Sequence, residues 1–204
     1  MKTFITGETE KFFSRFDLKR FSKGTRLINP EQKLSQVYFL KKGFAREYAI
    51  SPQGNELTLH IFAPGSFFPM TWTIANIDNR YFYEAVTPLE IYSAPPSKVL
   101  EFLKNRPEIL FDLTRRILIG LDKLLLRTEY LAFNRAEARI CSMLLYLSRH
   151  FDELPFTHSE IASFAAVSRE TASRTLEKLQ KRAIIWYKSR RIVIKNKEEL
   201  KKLL

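Results

Sequence analysis

Turn-forming residues interrupt residues 21–94 about every ten residues, and this spacing is the strongest constraint that the sequence places on the fold. The interruptions are Asn29-Pro30, Lys42-Gly43, Ser51–Asn55, Pro64-Gly65, Asp78-Asn79 and Thr87-Pro88. The segments between them are short and rich in aromatic and β-branched residues: 37–40, 44–50, 56–62, 81–86 and 89–93. Short strands at regular spacing are typical of an antiparallel sandwich or barrel. We therefore predict that residues 1–106 form a domain built on antiparallel sheet.

A long amphipathic helix is predicted over residues 107–133, after a Pro95-Pro96 break and a short helix at 97–105. Proline at 107 suits the first position of a helix. An apolar residue recurs every seven positions, at Leu110, Ile117, Leu124 and Leu131. Leu121 lies beside this repeat. Such a repeat describes one apolar seam. The seam fits either a contact between two copies of the chain or a core helix within one copy, and charged residues on the other faces favour the dimer.

Basic residues are concentrated towards the C-terminus. The chain has 34 Lys and Arg against 22 Asp and Glu, and from Ser168 onward the numbers are 12 and 4. Such an excess indicates a polyanionic partner, either nucleic acid or an anionic membrane surface. The N-terminus does not resemble a signal peptide, no apolar run approaches 18 residues, and the basic helices lack a large apolar face. We therefore expect a cytoplasmic protein that has no membrane partner.

Residues 157–179 have the pattern of two short helices joined by a tight turn, within a predicted C-terminal domain at 134–204. Asn134 and Glu137 have capping-box spacing and predict the helix that opens this domain. Thr157 and Glu160 repeat that spacing, the turn falls at 165–167, and Ser168 is placed to cap the second helix. On the second helix, one face is apolar and the other is polar at its N-terminal end.

The polar face carries the residue types that read base edges. Arginine can bond O6 and N7 of guanine together, and glutamate can accept from N4 of cytosine. Arg169, Glu170, Ser173 and Arg174 are therefore the predicted base-reading residues, and no other feature of the sequence predicts function as specifically. A nonspecific architectural DNA-binding protein is the alternative, because a basic surface alone also binds duplex DNA.

A basic hairpin is predicted after these helices. Strands at 184–187 and 191–194 are joined by Lys188-Ser189-Arg190, the arrangement of a wing whose tip contacts phosphates. The predicted phosphate contacts are Thr157, Ser168, Thr171, Lys188 and Arg190.

At this point the sequence resembles the Crp/Fnr family, which includes the cyclic-AMP receptor protein and the fumarate-and-nitrate-reduction regulator. The resemblance covers nearly the whole chain. It is carried by Lys23-Gly24-Thr25, 37–43, Pro64–Phe67, Leu131–Phe133 with Arg139-Ile140, and most specifically by Ser168-Arg169-Glu170-Thr171 with Arg174. The resemblance implies an α+β fold: an N-terminal antiparallel β-roll of the jelly-roll, cyclic-nucleotide-binding type, a dimerisation helix and a C-terminal winged helix-turn-helix.

The family resemblance also implies a function. It predicts a homodimeric transcription regulator that binds a palindromic operator in double-stranded DNA and contacts RNA polymerase. By carry-over, Arg169, Glu170 and Arg174 would read a half-site with a TGA core, and Ser173 is the residue type of the oxygen-sensing branch.

The chain departs from the family in its cyclic-nucleotide cassette. Pro69-Met70 stand where the family has Gly-Glu, and Tyr81 follows Arg80 where a serine belongs, so we expect no response to cyclic AMP. Aromatic residues are concentrated there, and they either fill the roll or line a pocket for an apolar or aromatic effector at Phe67, Trp72, Arg80 and Tyr81.

Other cofactors and activities are not expected. Cys141 is the single cysteine, which excludes a four-thiolate iron–sulfur cluster and a cysteine-ligated zinc site. His60 is the one histidine before residue 134, and no spacing indicates a metal-ligand group or a catalytic triad. We therefore expect no metal, no cofactor and no enzymatic activity.

Overall fold

A computed structural model describes residues 4–133 and 135–204. The chain divides into two compact units. The first comprises the described residues up to Ala49 together with Leu59–Leu121, and the second comprises Ile50–Thr58 and Asp122–Leu204. The predicted boundaries at 106/107 and 133/134 follow secondary structure instead and stay a prediction, because the division into compact units assigns the two ends of the long helix to different units.

Two four-stranded antiparallel sheets, in the orders β1-β8-β3-β6 and β2-β7-β4-β5, are formed by the strands between Asp17 and Ala94. The strands are β1 (Asp17–Phe21), β2 (Arg26–Ile28), β3 (Val37–Lys42), β4 (Ala45–Ile50), β5 (Glu56–Phe62), β6 (Phe67–Phe68), β7 (Phe82–Ala85) and β8 (Leu89–Ala94). The predicted β-roll is therefore confirmed. The five predicted strands correspond to β3, β4, β5, β7 and β8, whereas β1, β2 and β6 were not predicted.

Two apolar clusters stabilise the roll. The one that includes Leu40, Phe68, Tyr83 and Ile91 combines residues of both sheets, and the rings of Phe68 and Tyr83 stack with centroids 5.4 Å apart. The other packs the helices α1 (Phe4–Phe13) and α3 (Pro96–Lys104) against β3 and β8. Because β8 is covered on both sides, it is apolar along most of its length and does not alternate.

One tight turn of the roll requires glycine. Gly43, between β3 and β4, has φ +89°, and a Cβ there would lie 2.3 Å from the carbonyl oxygen of Pro88. The backbone of Phe44 then donates to Oγ1 of Thr87 at 2.9 Å. The predicted turn at Lys42-Gly43 therefore brings two loops of the roll together.

Helix α4 (Pro107–Phe133) begins at the predicted proline. The remaining helices are α2 (Met70–Ala75), α5 (Ala136–Leu147), α6 (His158–Ala165), α7 (Arg169–Lys181) and α8 (Lys197–Lys201). In the second unit, α5, α6 and α7 contact one another, and α7 contacts the hairpin of β9 (Ile185–Lys188) and β10 (Arg191–Ile194). The predicted winged helix-turn-helix is therefore confirmed.

The start of α5 differs from the prediction. Arg135, with φ −64° and ψ 154°, occupies the N-cap position and its side chain makes no capping hydrogen bond. The predicted cap, Asn134, lies outside the described residues. The helix ends at Leu147, three residues before the predicted end at His150.

Candidate nucleic-acid interface

The first helix of the motif, α6, is capped as its sequence predicts. Oγ1 of Thr157 accepts from the backbone of Glu160 at 3.2 Å, and Oε2 of Glu160 accepts from the backbone of Thr157 at 2.7 Å. This reciprocal capping box satisfies N–H groups that the first turn leaves free and stabilises the helix start. Thr157, a predicted phosphate contact, therefore has a structural role whether or not DNA is bound.

The turn between the two helices is formed by an alanine in the left-handed region. Ala166 has φ 54° and ψ 49°, and the backbone of Val167 donates to the carbonyl of Ala162 at 3.0 Å. Glycine adopts this conformation without the strain that a Cβ introduces. The turn sets the direction in which α7 leaves α6.

Helix α7 begins after Ser168, whose Oγ accepts from the backbone of Thr171 at 3.1 Å. The hydroxyl groups of these two residues are also 2.9 Å apart, so the side chains of both predicted phosphate contacts are engaged at the cap. The inner face consists of the buried residues Ala172, Thr175, Leu176 and Leu179. The predicted apolar face is therefore confirmed.

Three of the four predicted base-reading residues lie together on the exposed face of α7. Arg169, Glu170 and Arg174 are all exposed. The side chains of Glu170 and Arg174 are 78% and 71% accessible, and their Oε1 and Nη2 atoms are 3.7 Å apart. An exposed pair of this kind contributes little to stability. Both groups can therefore turn from each other to a partner at small energetic cost.

Ser173, the fourth residue, is half-buried and already has a partner. Its Oγ lies 2.9 Å from Nδ1 of His158, the first residue of α6. The other ring nitrogen of His158 lies 2.8 Å from the hydroxyl of Tyr187 on β9, and burial raises the pKa of that hydroxyl. His158 was not among the predicted site residues, and its only signal in the sequence is a histidine next to a helix cap.

A groove of about 300 Å³ lies where α6, α7 and the hairpin meet. Arg169 lines it together with Thr157 and Arg190, two of the predicted phosphate contacts, and the other lining residues are Phe156, His158, Ser159 and Tyr187. The fold therefore brings cationic and hydroxyl side chains from three elements to one concave surface.

The hairpin corrects one detail of the predicted wing. Lys188 is the last residue of β9, paired with Arg191, and the turn consists of Ser189 and Arg190 alone. Nζ of Lys188 lies 2.8 Å from Oε1 of Glu153, so this lysine is in an ion pair beside the tip. The predicted strand began one residue too early because the apolar run at 184–187 gives no sign that Lys188 continues the ladder.

The predicted seam of α4 is exposed in the single chain. The accessible fractions are 42% for Leu110, 55% for Ile117, 51% for Leu121, 53% for Leu124 and 40% for Leu131. Ile109 and Leu113, on the first turns of α4, are buried with the core of the first unit. The alternative of a core helix buried within one copy does not fit this exposure.

The four residues of the predicted effector pocket lie in three different environments: two different apolar clusters and the exposed surface. Phe67 packs on the cluster that contains Phe13, with ring centroids 5.8 Å apart, whereas Trp72 packs against the cluster between the sheets. Arg80 and Tyr81 are exposed. A shared effector pocket stays a prediction.

Within ranges 4–133 and 135–204, no three His, Cys, Asp or Glu side chains are grouped so that they could hold a metal ion. Among the same residues, no helix combines the length and apolar character needed to cross a bilayer.

Comparison with known proteins agrees with both parts of the structure. Residues 18–106 match the cyclic nucleotide-binding domain, and residues 138–203 match the Crp-like helix-turn-helix domain. The transcriptional regulator SdrP of Thermus thermophilus is 30% identical over 158 residues, 74% of each chain. The global nitrogen regulator of Nostoc sp. is 29% identical over 192 residues, 87% of this chain and 84% of that one.

A solved structure gives the same result for the fold. A transcriptional regulator of the CRP/FNR family from Thermus thermophilus, 26% identical, superposes with a TM-score of 0.77 over 92% of this chain and 97% of the other. The order of a β-roll, a long helix and a winged helix-turn-helix is thus shared along nearly the full length. On the strength of these matches, the chain belongs to the Crp/Fnr family of DNA-binding transcription regulators.

Proposed function

We propose that this chain regulates transcription as a homodimer that recognises a palindromic operator, with α7 in the major groove of each half-site. The observation that carries the proposal is the exposed face of α7, which presents Arg169, Glu170 and Arg174 to solvent, with Arg169 lining the groove beside the hairpin. These side chains offer a fork of donors and a carboxylate acceptor, the groups that distinguish one base pair from another in the major groove.

The charge of the region supports the same function. From Ser168 to the end of the chain there are 12 Lys and Arg and only 4 Asp and Glu. This excess of positive charge favours contact with phosphates on both sides of a recognition helix. Arg190 at the tip of the hairpin and Thr157 at the start of α6 lie on the groove next to Arg169. In this proposal they position α7 on the duplex, and the exposed face of α7 supplies sequence preference.

The proposed dimer rests on α4. A row of apolar residues that remain about half exposed is unfavourable in water and is covered if a second α4 packs against it. Two-fold symmetry then requires a palindromic site, with half-sites about one helical turn apart, 34–36 Å, as helix-turn-helix dimers generally have. By resemblance to the family, each half-site has a TGA core.

The proposal also covers the effector and the cofactors. Pro69 and Met70 replace the Gly-Glu pair of the family's cyclic-nucleotide cassette, and Met70 begins the helix α2. We therefore propose that cyclic AMP is not the effector. We also propose that the protein uses no metal or iron–sulfur cluster. In this proposal it acts on RNA polymerase in the cytoplasm and is not an enzyme.

The decisive experiment is selection of binding sites from random duplex DNA, followed by competition binding with the Arg169→Ala and Arg174→Ala variants. Each variant should lose preference at one base pair per half-site, by roughly 5- to 100-fold. Lys181→Ala, a matched control at the other end of α7, should bind selected and scrambled DNA with an unchanged ratio.

The alternative is a nonspecific architectural protein. That function requires the wild-type chain to bind selected and scrambled duplexes equally tightly at one salt concentration. Equal binding of this kind would contradict the proposal, whatever the variants do.

A further inference from the structure

The imidazole of His158 connects the recognition helix to the hairpin. Nδ1 lies 2.9 Å from Oγ of Ser173 on α7, and Nε2 lies 2.8 Å from the hydroxyl of Tyr187 on β9. All three side chains are half-buried. Ser173 lies one turn after Arg169 and immediately before Arg174, so the contact reaches the edge of the proposed base-reading face.

The chemistry of imidazole couples the two hydroxyl groups. A neutral ring has one nitrogen that donates and one that accepts. If the hydroxyl of Tyr187 donates to Nε2, then Nδ1 carries the hydrogen and donates to Ser173. The hydroxyl hydrogen of Ser173 is then free to point away from the ring, where an acceptor on a base edge could take it. In the opposite arrangement Ser173 donates to Nδ1 and offers a base only its lone pairs.

The phenol selects between these arrangements. Delocalisation into the ring makes a phenol hydroxyl a better donor than acceptor, so Tyr187 donating to Nε2 is the favoured state. The imidazole then donates through Nδ1, and Ser173 becomes a donor towards DNA. Acceptors in the major groove are N7 and O6 of guanine, N7 of adenine and O4 of thymine.

We propose that His158 is a specificity-determining positioning residue. It holds the hydroxyl of Ser173 as a hydrogen-bond donor towards one base, and Tyr187 fixes the ring that does so. The proposal rests on the proposed function of α7 as the base-reading helix, and it adds a residue of α6 and a residue of the hairpin to the determinants of the operator sequence.

Asparagine and glutamine in place of His158 separate its two contacts. The amide of asparagine falls near the position of Nδ1 and can still donate to Ser173, whereas the amide of glutamine falls near Nε2 and reaches Tyr187 instead. Site selection with Ser173→Ala first identifies the base pair that this hydroxyl reads. His158→Gln should relax the preference at that same pair by about 3- to 10-fold, the effect of one hydrogen bond, and His158→Asn should keep it.

Two further variants complete the test. The double variant of His158→Gln and Ser173→Ala should relax the preference no further than Ser173→Ala alone. Tyr187→Phe keeps the aromatic ring and removes the hydroxyl, so it should relax the same base pair by a smaller factor of about 2 to 3. Thermal unfolding of each variant shows whether it folds. If His158→Gln does not fold, the effect of Tyr187→Phe on the base preference tests the proposal in its place.

The outcomes separate this inference from the proposed function. If His158→Gln weakens binding to all sequences alike and Tyr187→Phe leaves every preference unchanged, His158 is only structural and the inference is wrong. If Ser173→Ala changes no preference while Arg169→Ala does, the inference is also wrong and the proposed function stands. If none of these variants, Arg169→Ala included, changes a preference, both are wrong.

Discussion

Nζ of Lys188 lies 2.8 Å from Oε1 of Glu153, and Nη1 of Arg191 on the paired strand lies 3.6 Å from the other oxygen of the same carboxylate. One acidic residue thus binds two cations beside the tip of the hairpin. The hydrogen bond from Lys188 and the two positive charges hold the pKa of Glu153 below its ordinary value. The carboxylate is charged at neutral pH, and because its pKa is lowered, the pair persists into acid and is lost only as the pH falls through that lowered pKa.

Removing this carboxylate should strengthen DNA binding without changing sequence preference. In Glu153→Gln, Lys188 and Arg191 are free to meet phosphates, so affinity for selected and scrambled duplexes should rise equally, by roughly 2- to 10-fold at low salt. The slope of log affinity against log salt should steepen by about 1 to 2. Fluorescence anisotropy over a salt series measures both quantities.

Asp152→Asn is the matched control, because it removes the same charge from the neighbouring exposed residue. An equal gain in both variants would show that overall charge, and not release of the two cations, controls affinity.

A charge on the α4 seam should separate the proposed dimer. Leu124 is 53% exposed in the single chain and lies between Ile117 and Leu131 in the heptad repeat. Leu124→Glu would place two carboxylates across the two-fold axis, so the variant should be monomeric at micromolar concentration and bind the operator at least 10-fold more weakly. Light scattering after size exclusion measures the mass.

Arg115→Glu, on a charged face of the same helix, should leave the dimer intact. A wild-type chain that is monomeric at tens of micromolar, or a Leu124→Glu chain that is dimeric, would contradict the proposed seam.

Glycine at position 166 should stabilise the second unit. Ala166 has φ 54°, and a left-handed residue that carries a Cβ costs of the order of 1 kcal/mol. Ala166→Gly should therefore raise the free energy of unfolding by about 0.5–1 kcal/mol after the entropy of glycine in the unfolded chain is included. Urea unfolding at a fixed protein concentration measures it.

The control substitution should change the free energy of unfolding in the opposite direction. Ala162→Gly, inside α6, should lower the free energy of unfolding by about 1 kcal/mol or more. A loss of stability in both variants would mean that the turn does not strain Ala166.

Cys141 should react slowly in the folded protein. The side chain is fully buried on α5, and burial first, then the charge of Glu137, raises the pKa of the thiol to about 11. Only the thiolate is nucleophilic, so at pH 8 the protonated, covered thiol should be alkylated by iodoacetamide at least 100-fold more slowly than in urea. Mass spectrometry follows the reaction. Complete labelling of folded protein within minutes would contradict a role in core packing.

Much of the C-terminal domain could be predicted because its signals are local. The caps at Thr157 and Ser168 use hydrogen bonds that span three residues, and the apolar face of α7 follows from helical periodicity. Each of these features is visible in a window of a few residues. Even the strained turn at Ala166 lies where the pattern of two short helices requires it.

Features that depend on distant contacts could not be predicted. Strand β6 has two residues, and only its pairing with β3 makes it a strand. The partner of Lys188 is 35 residues away in sequence, and that of Ser173 is 15 residues away. Residue type alone therefore assigned Lys188 a free charge and Ser173 a free hydroxyl, whereas the folded chain gives each a partner.

The turn of the hairpin has a consequence for the energetics of recognition. Ser189 and Arg190 have φ of 49° and 65°, the two left-handed residues of a type I′ connection, which is the tightest link between paired strands. A loop this short has few conformations to lose, so the proposed phosphate contact at Arg190 forms with little entropic penalty. Lengthening the tip with glycines would weaken association even though every charge is retained.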